Sequence, residues 1–334
     1  ANQWQKINAS GDAPSPRYWH TMAWSSAAGG LYVFGGASSG YLKDPNDLYL
    51  YLHEENEWRR LTFCNCAKPS ATYGHTMAWS SAAGGLYVFG GHGVDSGEYG
   101  LYLNDLHLYV HEDPQGWQRK VPFSAPSPRY QPTMAWSSAA GGLYMLGGIN
   151  RRVQLNDPND LYLYVPEANQ WQKINATGDA PSPRYGHTMG WSSDAGLYVF
   201  GGRQLLVNGR GDHNDLYLYA HEAEGRSKMA NHWQKINATG DVPSPRYGHT
   251  MAWSSAAGGL YVFGGLSGGY LNDLYLYVHE ANQWQKVNAL GDAPSPRYRH
   301  TMAWSSAAGG LYLFGGFRED YLNDLYLYIH EANQ

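Results

Sequence analysis

The chain has 334 residues, a formal net charge of −5 and only two cysteines. That charge excludes a strongly basic nucleic-acid binder, and no run of 18 apolar residues is present to cross a membrane. Two cysteines cannot staple a scaffold of this length, and such sparing use favours a reducing compartment.

In chain order, Ala1–Ile7 reads as a lone strand around Trp4. His20–Ser26 and Leu31–Gly35 read as the next two, joined through Ala27-Ala28-Gly29-Gly30, whose paired glycines suit a tight hairpin. Leu48–His53 is the third, and a fourth begins at Trp58. Aromatic and branched residues crowd these runs, and no stretch carries helical periodicity. The pattern then repeats. Double glycines close the second strand at Gly35-Gly36, Gly90-Gly91, Gly147-Gly148, Gly201-Gly202, Gly264-Gly265 and Gly315-Gly316. Their spacings are 55, 57, 54, 63 and 51 residues, and counting round the ends gives 54. A period near 50 that closes on itself specifies an all-β ring, a six-bladed β-propeller of four-stranded antiparallel blades. The chain starts on a fourth strand and stops after a third, so residues 1–9 are expected to complete the sixth blade and shut the ring. On this reading residues 1–334 form one domain. The chain lacks an initiator methionine and begins within a blade, so it is read as a trimmed segment.

These residues resemble the Kelch repeats. The resemblance rests on the Gly-Gly pairs, the third-strand tyrosines (Tyr49, Tyr109, Tyr162, Tyr217, Tyr275, Tyr326) and the fourth-strand tryptophans (Trp4, Trp58, Trp117, Trp171, Trp233, Trp284). It covers all six copies. The segment AWSSAAGGLYVFGG recurs letter for letter in the first, second and fifth, which fits recent duplication and consensus design equally.

Propeller geometry puts the fourth-to-first and second-to-third connections on one face, here the top. That face collects the arginines of the repeated Pro-Arg-Tyr motif, Arg17, Arg129, Arg184, Arg246 and Arg297, with Thr72 interrupting the series. The variable loops add Arg151, Arg152, Arg203, Arg210 and Arg318. A basic top face on a mildly acidic protein is thus expected, suited to an acidic partner. A residue repeated in five blades also fits an architectural role bonding backbone carbonyls, and both readings stay open. His20, His75, His187, His249 and His300 are expected to tie loops round the channel; spread about the axis, they lie too far apart to ligate one metal.

Asymmetry is the sharper guide. Between the Tyr and His of each repeat stand Trp19, Gly74, Gln131, Gly186, Gly248 and Arg299. Glycine is the default and three blades depart from it. Blades 1 and 6 adjoin, so Trp19 and Arg299 should meet at the top entrance and, with Arg17 and Arg297, suit a carboxylate or phosphate. Blade 3 sets Gln131 beside Pro132, where histidine normally stands.

Lesser signals are Cys64 and Cys66 in one atypical stretch, three Asn-Ala-Ser/Thr sequons, and the triplet Arg210-Gly211-Asp212. Kelch-like propellers include a copper oxidase, a sialic-acid mutarotase and nitrile-forming specifier proteins. The iron-site run of the last is missing here, as are a phosphate loop and a nucleophile elbow. The sequence therefore reads as a non-catalytic, monomeric interaction module without cofactor or metal. It would take an acidic or phosphorylated peptide on its top face, resembling substrate-receptor propellers of cullin ubiquitin ligases. Small-ligand or sugar chemistry in the channel, and an engineered scaffold without a natural ligand, are the alternatives.

Overall fold

A computed structural model describes residues 2–38, 46–63, 67–93, 101–150, 160–206, 209–221 and 231–330. It is an all-β, six-bladed propeller, as expected, with no helix among the described residues. In blade 1 the inner strand Thr21–Ser25 pairs antiparallel with Gly30–Phe34, that with Leu48–Leu52, and that with the outer strand Glu57–Leu61. The other five blades repeat this order. Every residue of Gly30–Phe34 and Leu48–Leu52 is buried, because each blade packs a neighbour on both faces. That explains why these strands run LYVF and LYLY without alternation to polar residues.

Six apolar clusters fill the six seams between blades. The one between blades 1 and 2 joins Tyr32, Phe34 and Leu50 to Met77, Leu86 and Trp117. Outer-strand tryptophans lie under the rings of the preceding blade, Trp58 5.2 Å from Phe314 and Trp4 5.3 Å from Phe263. The ring shuts as expected. Gln3–Ile7 pairs antiparallel with Tyr321–Ile329, seating Trp4 opposite Tyr328 as the outer strand of blade 6.

Among the described residues, the segments after five of the outer strands add a feature that was not foreseen. Ser10–Gly11 pairs parallel with Glu57 and Trp58 of the next outer strand, as do Thr177–Gly178, Thr239–Gly240 and Leu290–Gly291 on theirs. At blade 3 the equivalent is a single bridge, Phe123 to Gln170. These short fifth strands cover outer edges that would otherwise present unpaired backbone.

Two rings of side chains clasp the seams. At the top, a threonine of one blade meets the histidine of the next: Thr21–His75, Thr133–His187, Thr188–His249, Thr250–His300 and Thr301–His20, at 2.7–2.9 Å from hydroxyl to Nε2. At the bottom, a buried tyrosine hydroxyl hydrogen-bonds with Nδ1 of the next blade's histidine. These pairs are Tyr32–His111, Tyr144–His221, Tyr198–His279, Tyr261–His330 and Tyr312–His53. The paired glycines make room for the top clasp. Gly36 sits at φ 99°, and a Cβ there would lie 2.8 Å from that of His20.

Candidate functional site

The Pro-Arg-Tyr arginines resolve first, and they correct an expectation. Arg17, Arg129, Arg184, Arg246 and Arg297 are only 0–6% exposed. Each points inward, donating from Nε to the serine carbonyl two residues before and from one terminal nitrogen to the first carbonyl of the Gly-Gly pair. Arg184, Arg246 and Arg297 also close bidentate pairs on Asp215, Asp273 and Asp324, each the second residue of an Asn-Asp pair that leads into the LYLY run of its blade. Burial alone would raise the Asp215 carboxyl, but the hydrogen bonds and charge of Arg184 outweigh it and hold it below its ordinary value. These arginines are framework and do not form a basic face. Blade 2, which has Thr72 instead, pairs its aspartate Asp105 with the more exposed Arg119.

The loop arginines divide. Arg203 is held by Asp212 at 2.5 and 3.0 Å and lies 3.6 Å from the Tyr247 ring centroid, so its charge is neutralised locally. The same contact engages the aspartate of the Arg210-Gly211-Asp212 triplet. Arg318 is exposed on its turn. Arg151 and Arg152 lie outside the described residues, as do Cys64 and Cys66. The five top histidines are buried as the neutral form. Burial lowers all of them, His75 and His187 to about 3, with the neighbouring arginine adding to this at His20, His187, His249 and His300.

The asymmetric residues come together at the top of the channel. All six positions Trp19, Gly74, Gln131, Gly186, Gly248 and Arg299 hold left-handed backbone, φ 55–63°. Their peptide groups form a collar: Trp19 N–H donates to Arg299 O, Gly74 to Trp19, Gln131 to Gly74, Gly248 to Gly186 and Arg299 to Gly248. This explains the glycine default, since an L-side chain in that conformation costs about 1–2 kcal/mol. Trp19, Gln131 and Arg299 hold it against that cost.

Arg299 and Trp19 stack, with the guanidinium carbon 3.7 Å from the indole centroid and 4.6 Å from that of Tyr298. Trp19 in turn stacks on Tyr18 at 4.2 Å and Tyr73 at 5.3 Å, with Tyr130 edge-on beyond. Burial raises the phenols of Tyr18, Tyr130 and Tyr298, keeping this wall neutral. Trp19, Gln131 and Arg299 all line one cavity of about 120 Å³ with the five histidines beneath. Each leaves a buried donor without a partner: Trp19 Nε1, Gln131 Nε2 and Arg299 Nε. Among the described residues, no carboxylate pairs with Arg299. The channel continues past the threonines and methionines of the inner strands as a second space of about 140 Å³. No group of three or more His, Cys, Asp or Glu side chains among the described residues could hold a metal ion. The glycine departures revealed Trp19, Gln131 and Arg299 in the sequence; the aromatic wall and the unpartnered donors left no such trace.

The molecule is thus a closed propeller whose channel mouth carries a cation on an aromatic wall. Residues 138–334 match the KLHDC2/KLHL20/DRC7 Kelch-repeats domain, and residues 1–219 match the Attractin/LZTR1 beta-propeller. The chain belongs to the Kelch-repeat β-propellers. It is 29% identical over 86% of its length to the leucine-zipper-like transcriptional regulator 1 homolog of Drosophila melanogaster. It is 30% identical over 83% to tip elongation aberrant protein 1 of Schizosaccharomyces pombe, and 29% over 78% to human host cell factor 2. It spans only 28%, 27% and 32% of those three proteins. The solved structure of YjhT superposes with a TM-score of 0.72 over 97% of both chains; at 18% identity this speaks to the fold alone.

Proposed function

We propose that the chain is a non-catalytic interaction module whose channel mouth receives an acidic segment of a protein partner. The observation that carries this reading is that Trp19, Gln131 and Arg299, the three departures from glycine, line one cavity, with no carboxylate paired to Arg299 among the described residues. Arg299 supplies the charge, Trp19 holds its plane by stacking, and Gln131 offers an amide from the same cavity. With the Pro-Arg-Tyr arginines buried, Arg299 is the one cation among the described residues that line this cavity. A carboxylate side chain fits that charge better than a phosphate dianion, whose recognition draws on several charged donors. The relatives' names, a transcriptional regulator and a host cell factor, agree with binding rather than catalysis. The mouth's titratable groups agree too, since its imidazoles are held neutral and its phenols protonated.

The test is binding to an array of acidic and phosphorylated peptides, comparing the unaltered chain with Arg299→Glu and Trp19→Ala. Losing a charged hydrogen bond costs about 1.5–3 kcal/mol, so affinity should fall at least tenfold with the thermal midpoint unchanged. Equal binding by chain and variants would remove the mouth from the reading. The aromatic wall of Trp19, Tyr73 and Tyr130, the last edge-on to the other two, favours a second reading, a sugar ring packed against it. Saturable binding of a small sugar, with no peptide bound, would establish that one.

A further inference from the structure

We propose that the ring is jointed, with the seam between blades 2 and 3 as the place where it opens. Of the six seams, five carry both the threonine–histidine clasp and the tyrosine–histidine clasp. Among the described residues, the seam between blades 2 and 3 has neither. Pro132 stands where histidine would meet Thr76, and Pro166 stands where histidine would meet Tyr87. Each proline replaces an imidazole with a group that neither donates nor accepts through its side chain. The two losses fall on one seam, at opposite ends of it.

The apolar filling of this seam is otherwise ordinary. Tyr87, Phe89 and Leu106 meet Met134, Leu143 and Trp171, as their counterparts do elsewhere. The collar bond also persists, Gln131 N–H to Gly74 O at 2.8 Å. Blade 3 is therefore held to blade 2 by the collar, by the backbone bonds of Arg129 with Gly91 and Leu103 near the top, the first of which has a counterpart at every seam, and by non-directional packing. Without the two clasps that its counterparts carry, this seam resists hinging less than they do, so the collar and the Arg129 backbone bonds act as the hinge and the packed remainder of the seam as the opening edge. The edge covering is reduced at the same blade, where the short parallel strand has become the single bridge at Phe123.

Equivalent alanines of the inner strands report on single seams. Ala23, Ala78 and Ala135 are 9%, 8% and 8% exposed, and they face the seams between blades 1 and 2, 2 and 3, and 3 and 4. Each is changed singly to cysteine in the full chain after Cys64→Ser and Cys66→Ser, and labelling by a maleimide is timed under native conditions. Two neutral hydrogen bonds correspond to about a tenfold difference in opening, so the Ala78→Cys thiol should react at least about tenfold faster than the other two. Adding Pro132→His and Pro166→His should bring it down to their rate. Equal rates at the three sites, or a fast Ala78→Cys thiol that the histidines do not slow, overturns the proposal. Hydrogen exchange of the unaltered chain gives a check without substitutions. Lower protection is expected over Thr76–Ser80 and Thr133–Ser137 than over Thr188–Ser192 and Thr250–Ser254, and equal protection again overturns it.

Discussion

Arg297 and Asp324 form a bidentate ion pair, 2.5 and 2.9 Å, with the arginine wholly inside the protein. Two residues along, Arg299 carries the same charge at the channel mouth and meets no carboxylate among the described residues. Removing the first should cost stability, because Asp324 and the Gly315 carbonyl lose a buried partner. Arg297→Ala is expected to lower unfolding free energy by about 3–5 kcal/mol, toward the low end because Asp324 keeps some water contact. Arg299→Ala should stay within about 1 kcal/mol, the worth of a partly exposed cation–π contact. Urea unfolding of the two variants checks this, and a comparable loss in both would refute the division into framework and site.

Acid sensitivity follows from the top histidines. Their folded forms resist protonation, whereas the unfolded chain takes up protons near the ordinary histidine value of about 6.5. The stability this confers is complete above that value. It is lost as pH falls from about 6.5 toward about 3, where His75 and His187 titrate in the folded protein. Each such imidazole contributes a slope of up to about 1.4 kcal/mol per pH unit inside that window. Thermal midpoints should be level from pH 8 to 7 and drop steeply below 6. A midpoint unchanged down to pH 4.5 would mean that the histidines are not buried as neutral rings.

Gln131 carries strain twice over, as a non-glycine in left-handed backbone and as the residue before a proline. Gln131→Gly removes that strain and the unpartnered amide together, against the higher chain entropy of glycine. A net gain of about 0.5–1 kcal/mol is expected, accompanied by weaker ligand binding at the mouth. Loss of stability without loss of binding would assign Gln131 to the framework.

Trp4 anchors the closing strand, packed against Phe263 and Tyr328 and almost fully buried. Trp4→Ala should cost about 3–5 kcal/mol, and deletion of residues 1–9 at least as much. Differential scanning calorimetry of both variants measures it. An unchanged transition would show that the ring does not depend on this strand.

The architecture was legible because its signals are periodic. Gly-Gly, the strand aromatics and the outer tryptophan each answer a demand that every blade repeats, so six copies reinforce one reading. The same repetition hid the role of Arg17 and its counterparts. Recurrence shows that a demand is shared without showing whether the side chain faces water, and arginine is rarely buried unless paired. The partners are aspartates 27–31 residues further on, brought close only by the turn of the blade. Trp19, Gln131 and Arg299 were visible because they break a glycine rule whose cause, a left-handed collar, is itself periodic. The unpartnered donors of the mouth depend on rotamers and neighbours from several blades, which no linear pattern records.

The closing strand has a consequence for how the chain behaves at high concentration. Gln3–Ile7 reads QWQKI, and the outer strand of blade 3, Gln170–Ile174, reads the same; that of blade 5, Gln283–Val287, differs by one methyl-bearing side chain. The third strands that receive them are equally alike. A free first strand therefore finds the same hydrogen-bond ladder and the same tryptophan pocket on the open sixth blade of another copy as on its own. Interchangeable latches make exchange between molecules a matter of local concentration. Refolding in crowded solution should consequently link chains end to end into swapped oligomers, while dilution returns the single ring.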